Sequence, residues 1–116
     1  MKPIMKYTDN VGNKLNTEAN VTVSIDYLPL LSEYEVVGTR TKANTYEQNK
    51  QAQYAYYTNG NSKIKKSNND TNSSVSWTFR SPNFNGTNDF CRVKTDGTVD
   101  TQATGTSIGI APIFLV

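Results

Sequence analysis

Few side chains in this chain can do chemistry, and their types exclude most catalytic classes. There is no histidine, which removes histidine-based triads, the usual general base and most transition-metal sites. Cys91 is the only cysteine, so no internal disulfide and no cysteine-rich metal site can form. Its neighbours Phe90 and Val93 mark it as a small buried hydrophobe. Asp89, Asp96 and Asp100 cluster in sequence, but Asp96 is explained by a turn with Gly97 and Asp89 by a loop. Asn83, Asn85, Thr87 and Asp89 alternate as the oxygen ligands of a calcium loop do, yet no glutamate closes the series. No metal, no cofactor and no catalytic centre are expected, and the chain is not read as an enzyme.

Lys63, Lys65 and Lys66 form the one dense basic patch. A solvated helix or strand face explains such a run, and a contact to phosphate or to an acidic partner is the alternative. The net charge is +2 and the isoelectric point about 8.7, below the value of about 9 that marks nucleic-acid-binding domains. Nucleic acid is therefore not the expected partner. Residues 1–10 lack the apolar core of a signal peptide and no stretch reaches membrane-spanning length, so a cytoplasmic protein without a membrane anchor is expected.

These residues must be positioned by short elements. A third of the chain is Asn, Ser or Thr and mean hydropathy is −0.62, which favours turns and caps and leaves a thin core. Seven Tyr and four Phe supply strand propensity and large buried areas. One domain spans residues 1–116, with 1–20 an extended or irregular lead-in. Val21, Val23 and Ile25 alternate on one face of a strand. Ser32 and Glu35 have capping-box spacing, which predicts a short helix over 33–37 stopped by Gly38. A second helix is predicted over 46–57, with Ala52, Ala55 and Tyr56 on its face. Residues 67–76 and 83–89 read as loops around a strand over 77–80. Asp96-Gly97 joins a hairpin of 90–95 with 98–101, residues 100–107 turn polar again, and 108–116 read as a buried strand. The fold class is α+β: two short helices and a small, mainly antiparallel sheet.

The run Trp77-Thr78-Phe79-Arg80-Ser81-Pro82 resembles the Trp-Trp-Leu-Arg-Ser-Pro core of a bacterial and phage family of domains of unknown function, whose signature continues to a Ser-Asp-Gly turn. Residues 28–38 and 53–66 resemble two further segments of that family, so most of 28–116 is covered. Thr78 stands where the second tryptophan is expected and Ala111 where many relatives carry arginine. The family is similar to C-type-lectin-like and formylglycine-enzyme-like domains, which implies a binding role. The chemistry of the latter needs active-site cysteines, and Cys91, in mid-strand, does not match them. Residues 2–9 resemble a stretch that lies mid-domain in relatives, so the chain is expected to be the C-terminal part of a lectin-like domain.

Three functional expectations follow. The first is a non-catalytic protein- or ligand-binding module of phage or prophage origin, cytoplasmic in a bacterial host or virion-associated. The second is a small phage-encoded inhibitor of a host defence nuclease, anti-CRISPR-like. The third, an enzyme, has no residues to support it. Candidate binding residues are Tyr57, Lys63, Lys65, Lys66, Trp77, Arg80, Asn85 and Asn88. The loops 67–76, 83–89 and 100–107 are expected to share one end of the sheet. Trp77 and Phe79 read first as core residues, with Trp77 or Tyr57 as an anchor in the alternative. Arg80 before Ser81-Pro82 reads first as a hydrogen-bonder to backbone carbonyls, with a ligand clamp as the alternative. An edge or apolar face left open by a shortened sheet is expected to be closed by a protein partner or by homo-oligomerisation.

Overall fold

Two hairpins and one three-stranded sheet hold most of the regular structure in the computed structural model, which describes residues 2–10, 16–48, 51–67, 73–86, 88–103, 105 and 108–113. Strand β1 (Ile4–Asp9) pairs antiparallel with β2 (Val21–Asp26), in unbroken register from Ile4 opposite Asp26 to Asp9 opposite Val21. A 3-10 turn, Glu18–Asn20, leads into β2. Within the lead-in over 1–20, expected to be extended or irregular, residues 4–9 form a strand. Lys6, at the centre of β1, is buried, so the strand lacks the apolar alternation by which half-buried strands are recognised.

Helix α1 (Glu33–Val37) forms where its capping box predicts. The Ser32 hydroxyl accepts from the Glu35 amide at 3.2 Å and the Glu35 carboxylate accepts from the Ser32 amide at 2.9 Å. Gly38 ends it at φ +81°, and a Cβ there would lie 2.6 Å from Gln53 Oε1. The left-handed cap and the close approach of Gln53 both require glycine.

The helix expected over 46–57 is not continuous. After a 3-10 turn (Thr45–Gln48), residues 51–54 form no helix, with Tyr54 extended, before the short helix α2 (Ala55–Thr58), while 49 and 50 lie outside the described residues. The end of α1 captures this piece: the Tyr54 amide donates to Glu35 O at 2.9 Å and Gln53 Nε2 donates to Val36 O at 2.8 Å. A continuous helix would need the Tyr54 amide for its own ladder.

Strands β3 (Lys65–Lys66) and β4 (Ser74–Val75) form a small hairpin, so the expected loop over 67–76 ends in a strand; 68–72 lie outside the described residues. The main sheet is β5 (Trp77–Pro82), β6 (Asp89–Val93) and β7 (Val99–Ala103), all antiparallel, with a bulge in β5 between Thr78 and Pro82. At the Asp96-Gly97 turn, the Gly97 amide donates to Lys94 O and the Lys94 amide to Thr98 O. Gly97 takes φ +88°, the arrangement of a three-residue hairpin loop with a glycine bulge.

Register also places the loops. Pro82 is opposite Phe90 and Asp89 opposite Ala103, whereas Trp77 is opposite Val93 and Val93 opposite Val99. The loop after β5 and the end of β7 therefore share one end of the sheet, and the segment before β5 lies at the other. The expectation that three polar loops cluster at one end is corrected, and residues 100–103 are strand. The expected strand over 108–116 is corrected too. Among its described residues, Gly109 bridges Trp77 and exchanges bonds with Ser76 and Thr78, Ile113 donates to Pro29 O, and Ile110 is 69% exposed. This run meets the start of β5 at a single parallel bridge and, among the described residues, forms no ladder. Residues 114–116 lie outside the described residues.

The core is Leu31, Val36, Ala43, Tyr57, Trp77, Phe79, Cys91 and Val93. Trp77 and Phe79 project from the same face of β5 and meet edge-on, with ring centroids 5.2 Å apart. As many polar side chains are buried beside them: Lys6, Asp9, Ser32, Glu33, Glu35, Asn44, Glu47 and Ser81.

Candidate functional site

The Arg80 side chain leaves β5 on the face opposite Phe79 and runs into the gap between β1 and α1. Its guanidinium donates to Leu30 O (2.9 Å), Tyr7 O (3.2 Å) and Thr8 Oγ1 (2.9 Å), and to the side chains of Gln51 and Glu35. Lys6 reaches the same Glu35 carboxylate from β1 and donates to Tyr54 Oη at 2.9 Å. Glu35 therefore sits between two cations. Burial alone would raise its pKa, but the Arg80 charge and the bonds from Lys6, Arg80 and Ser32 outweigh that and hold the carboxyl below its usual range.

Two further carboxylates tie chain segments together. Glu33 accepts from the amides of Thr41, Lys42 and Ala43, and its own amide donates to Ser81 Oγ. Glu47 accepts from the Asp9 amide at 2.8 Å and from Ser81 Oγ at 2.6 Å. Burial pushes the Glu47 carboxyl up to about 7 against those bonds, with the Asp9 charge adding to the rise. The Asp9 carboxyl is itself raised by burial. Arg80, Ser81 and the Ser32-Glu33 pair thus act together as a polar clasp that fixes β1–β2 to the body. The Arg80 side chain, 10% exposed, bonds two backbone carbonyls, in line with its reading as a structural hydrogen-bonder.

Of the other candidate residues, Lys63, Lys65 and Trp77 meet and Tyr57 shares a hollow with Lys65, whereas Asn85 and Asn88 lie apart from them. Trp77 is 1% exposed; its Nε1 donates to Lys63 O at 2.9 Å and Lys65 Nζ lies 4.8 Å from the ring centroid. The indole is core, roofed by β3. Tyr57 is also buried, edge-on to Tyr56 with centroids 5.0 Å apart, and burial raises its hydroxyl pKa. Tyr54, Tyr56, Tyr57 and Lys65 line an apolar hollow of about 280 Å³ with Leu31 and residues 111–113. Lys66 is exposed and borders a wider cavity of about 640 Å³ with Arg92, Ser76, Ile108 and Ile110. Arg92 there is engaged by Asp100 at 2.7 Å and by Gln102. Asn85 and Asn88 are exposed at the end of the sheet remote from β3. The oxygens of the supposed calcium series serve one another: Asn83 Nδ2 donates to Asp89 Oδ2 at 2.9 Å and its Oδ1 accepts from the Asn85 amide. Cys91 is fully buried and its thiol pKa is pushed up by burial. Among the described residues no group of three or more His, Cys, Asp or Glu could hold a metal ion, and no helix is long and apolar enough to cross a membrane.

An open apolar face was expected, but the residues that form one, which reasoning from sequence did not name, lie on the outside of β1–β2. Register places Met5 opposite Ile25 and Tyr7 opposite Val23, and paired residues share a face. Val23 and Ile25 are 54% and 64% exposed, and Met5, Tyr27 and Leu28 are exposed as well. The inner residues Lys6 and Thr8 face the clasp. On β1 the buried side chains are Lys6 and Asp9, while β2 is exposed on both faces, Thr22 and Ser24 with Val23 and Ile25, so the apolar side chains of the ribbon lie outside the core. The signal was present in the Val21-Val23-Ile25 alternation, but an apolar face is ordinarily assigned to the core.

The fold and these contacts define a small α+β domain held by a buried polar clasp. The chain belongs to the family described as Domain of unknown function (DUF6273), which matches residues 3–116. Neither a curated protein nor a solved structure matches it.

Proposed function

We propose that this domain is a non-catalytic binding module whose working surface is the outer side of the β1–β2 hairpin. The observation that carries the reading is the exposure of the apolar residues of that hairpin and the chain after it: Met5, Val23, Ile25, Tyr27 and Leu28 are exposed while Lys6 is buried. A contiguous exposed apolar patch marks an interaction site in a natural protein. A two-stranded ribbon is at best marginally stable by itself in water, so covering its outer face adds stability as well as contact. The resemblance to lectin-like domains points the same way, toward binding.

The test is a photo-reactive diazirine side chain placed at position 25 and, separately, at position 85, each irradiated in the cells that make the protein. The proposal expects covalent adducts from position 25 and none from 85, and expects Val23→Lys to remove them. Adducts from position 85 alone would move the working surface to the polar loop after β5 and end this reading.

A further inference from the structure

The backbone of the hairpin shows which polar groups are already used. The Asn10 amide donates to Asn20 O at 2.8 Å, toward β2. The Asp9 amide and the Tyr7 carbonyl turn the other way, to Glu47 and Arg80. Even-numbered residues of β1 therefore address β2, and through the register Lys6–Ser24 and Thr8–Thr22 the even-numbered residues of β2 address β1. The N–H and C=O groups of Val23 and Ile25 point out of the ribbon, and among the described residues no strand lies beside them. The neighbouring Val21 amide is taken by Glu18 O, so Val23 and Ile25 carry the open part of the edge.

Natural edge strands carry lysine, proline or a bulge to prevent pairing with another chain. The edge Val-Thr-Val-Ser-Ile-Asp has none of these, and its register is unbroken. Resting on the proposed binding role of this hairpin, we infer that the occupant of the edge is β2 of a second copy of this chain. It runs antiparallel about a two-fold axis at Ser24. Val23 then stands opposite Ile25 of the second copy, and all four open groups of each chain's pair are satisfied by four backbone bonds across the axis. The exposed apolar stripe becomes continuous across a four-stranded sheet, running Met5, Ile25, then Val23 and Tyr7 of the second copy. Asp26, the charged side chain of the strand, meets Thr22 of the second copy and no second carboxylate. Moving the centre to Val23 leaves the Ile25 carbonyl facing the Val21 amide, which is already bonded, so the Ser24-centred register is favoured. A strand of six residues spans only about 20 Å, and such an interface falls short of the roughly 1,600 Å² of a standard stable complex. The dimer is therefore weak and in fast exchange.

Cysteine cross-linking reads the register directly. Opposed Ser24 residues form a non-hydrogen-bonded pair with Cα atoms about 4.5 Å apart, within disulfide reach, and Cys91 is buried and does not compete. Ser24→Cys should give a disulfide-linked dimer on mild oxidation, and Val23→Cys, with no self-mate, should not. Sedimentation should show association of the unmodified protein that rises with concentration. Val23→Pro, which removes an amide β1 does not use, and Ile25→Lys should both sediment as folded monomers at every concentration. A protein that stays monomeric when concentrated, or that cross-links through Val23→Cys and not through Ser24→Cys, overturns the inference. A monomer that still gives photo-adducts from position 25 with another protein overturns self-pairing while leaving the binding-module reading standing.

Discussion

Replacing Arg80 with methionine tests the reasoning about the clasp most severely, because the change keeps an unbranched chain and removes the charge and every donor. The guanidinium side chain is 10% exposed and Glu35 4%, so the pair counts as buried. Removing one partner of a buried ion pair costs about 3–5 kcal/mol. Glu35 retains Lys6, which argues for the lower half of that range. Against this, the Leu30 carbonyl loses its donor and the Tyr7 carbonyl keeps only Gln51 Nε2 at 3.5 Å, and a buried acceptor left unsatisfied costs about 1–3 kcal/mol. These terms overlap, so a loss of about 4 kcal/mol is expected. That is a large fraction of the roughly 5–15 kcal/mol that holds a domain together. Urea unfolding followed by Trp77 fluorescence measures it, and at a slope of about 1–3 kcal/mol per molar the midpoint should fall by more than one molar. Arg80→Lys restores the charge without the planar fork and should recover only part of the loss. A loss below about 1 kcal/mol for Arg80→Met, the level of an exposed pair, would refute the claim that Arg80 is a structural element.

Further outcomes follow from single residues. Glu47 carries a raised pKa in the folded state, from 4.5 to about 7, so the native protein binds that proton more tightly than the unfolded chain. Its contribution is fully present below about pH 4.5 and is lost as the pH rises through about 7, an upper bound of about 3 kcal/mol; urea midpoints should fall between pH 5 and pH 7.5, and Glu47→Gln should flatten that slope. Gly38→Ala forces a left-handed residue against Gln53 and should destabilise by about 1–3 kcal/mol, visible as a lowered Tm. Phe79→Ala leaves a cavity beside Trp77 and should cost about 3–5 kcal/mol, with a red shift of the Trp77 emission in the folded state. Cys91, buried with its thiol pKa raised, should resist alkylation until the domain unfolds; labelling at the rate of a free thiol in native buffer would contradict that placement.

Local chemistry was legible in the sequence where neighbours along the chain decide the outcome. Ser32 with Glu35, Gly38 after them, and Asp96-Gly97 between two strands each carry their own partners within a few residues, and each forms as its spacing implies. Trp77 and Phe79 were legible as core because alternation and size agree. Residues 46–57 were not, because the fate of the Tyr54 amide is settled by Glu35 O, nineteen residues away. Strand β1 was hidden for a related reason: its buried side chains are Lys6 and Asp9, and only the positions of Glu35 and Tyr54 explain why a lysine belongs inside. The apolar run from residue 108 looked like a strand, but the described part finds its partners one at a time, at Ser76, Thr78 and Pro29. The candidate site was least legible of all. Val23 and Ile25 carry an ordinary strand pattern, and nothing along the chain tells an apolar face turned inward from one turned out.

Residue-resolved amide exchange across β2, in dilute and in concentrated solution, tests the central claim most directly. The account predicts that Thr22 and Ser24, bonded to β1, are protected at both concentrations, while Val23 and Ile25 exchange freely when dilute and gain protection when concentrated. Val23 and Ile25 amides protected in dilute solution, or unprotected at every concentration, would contradict it.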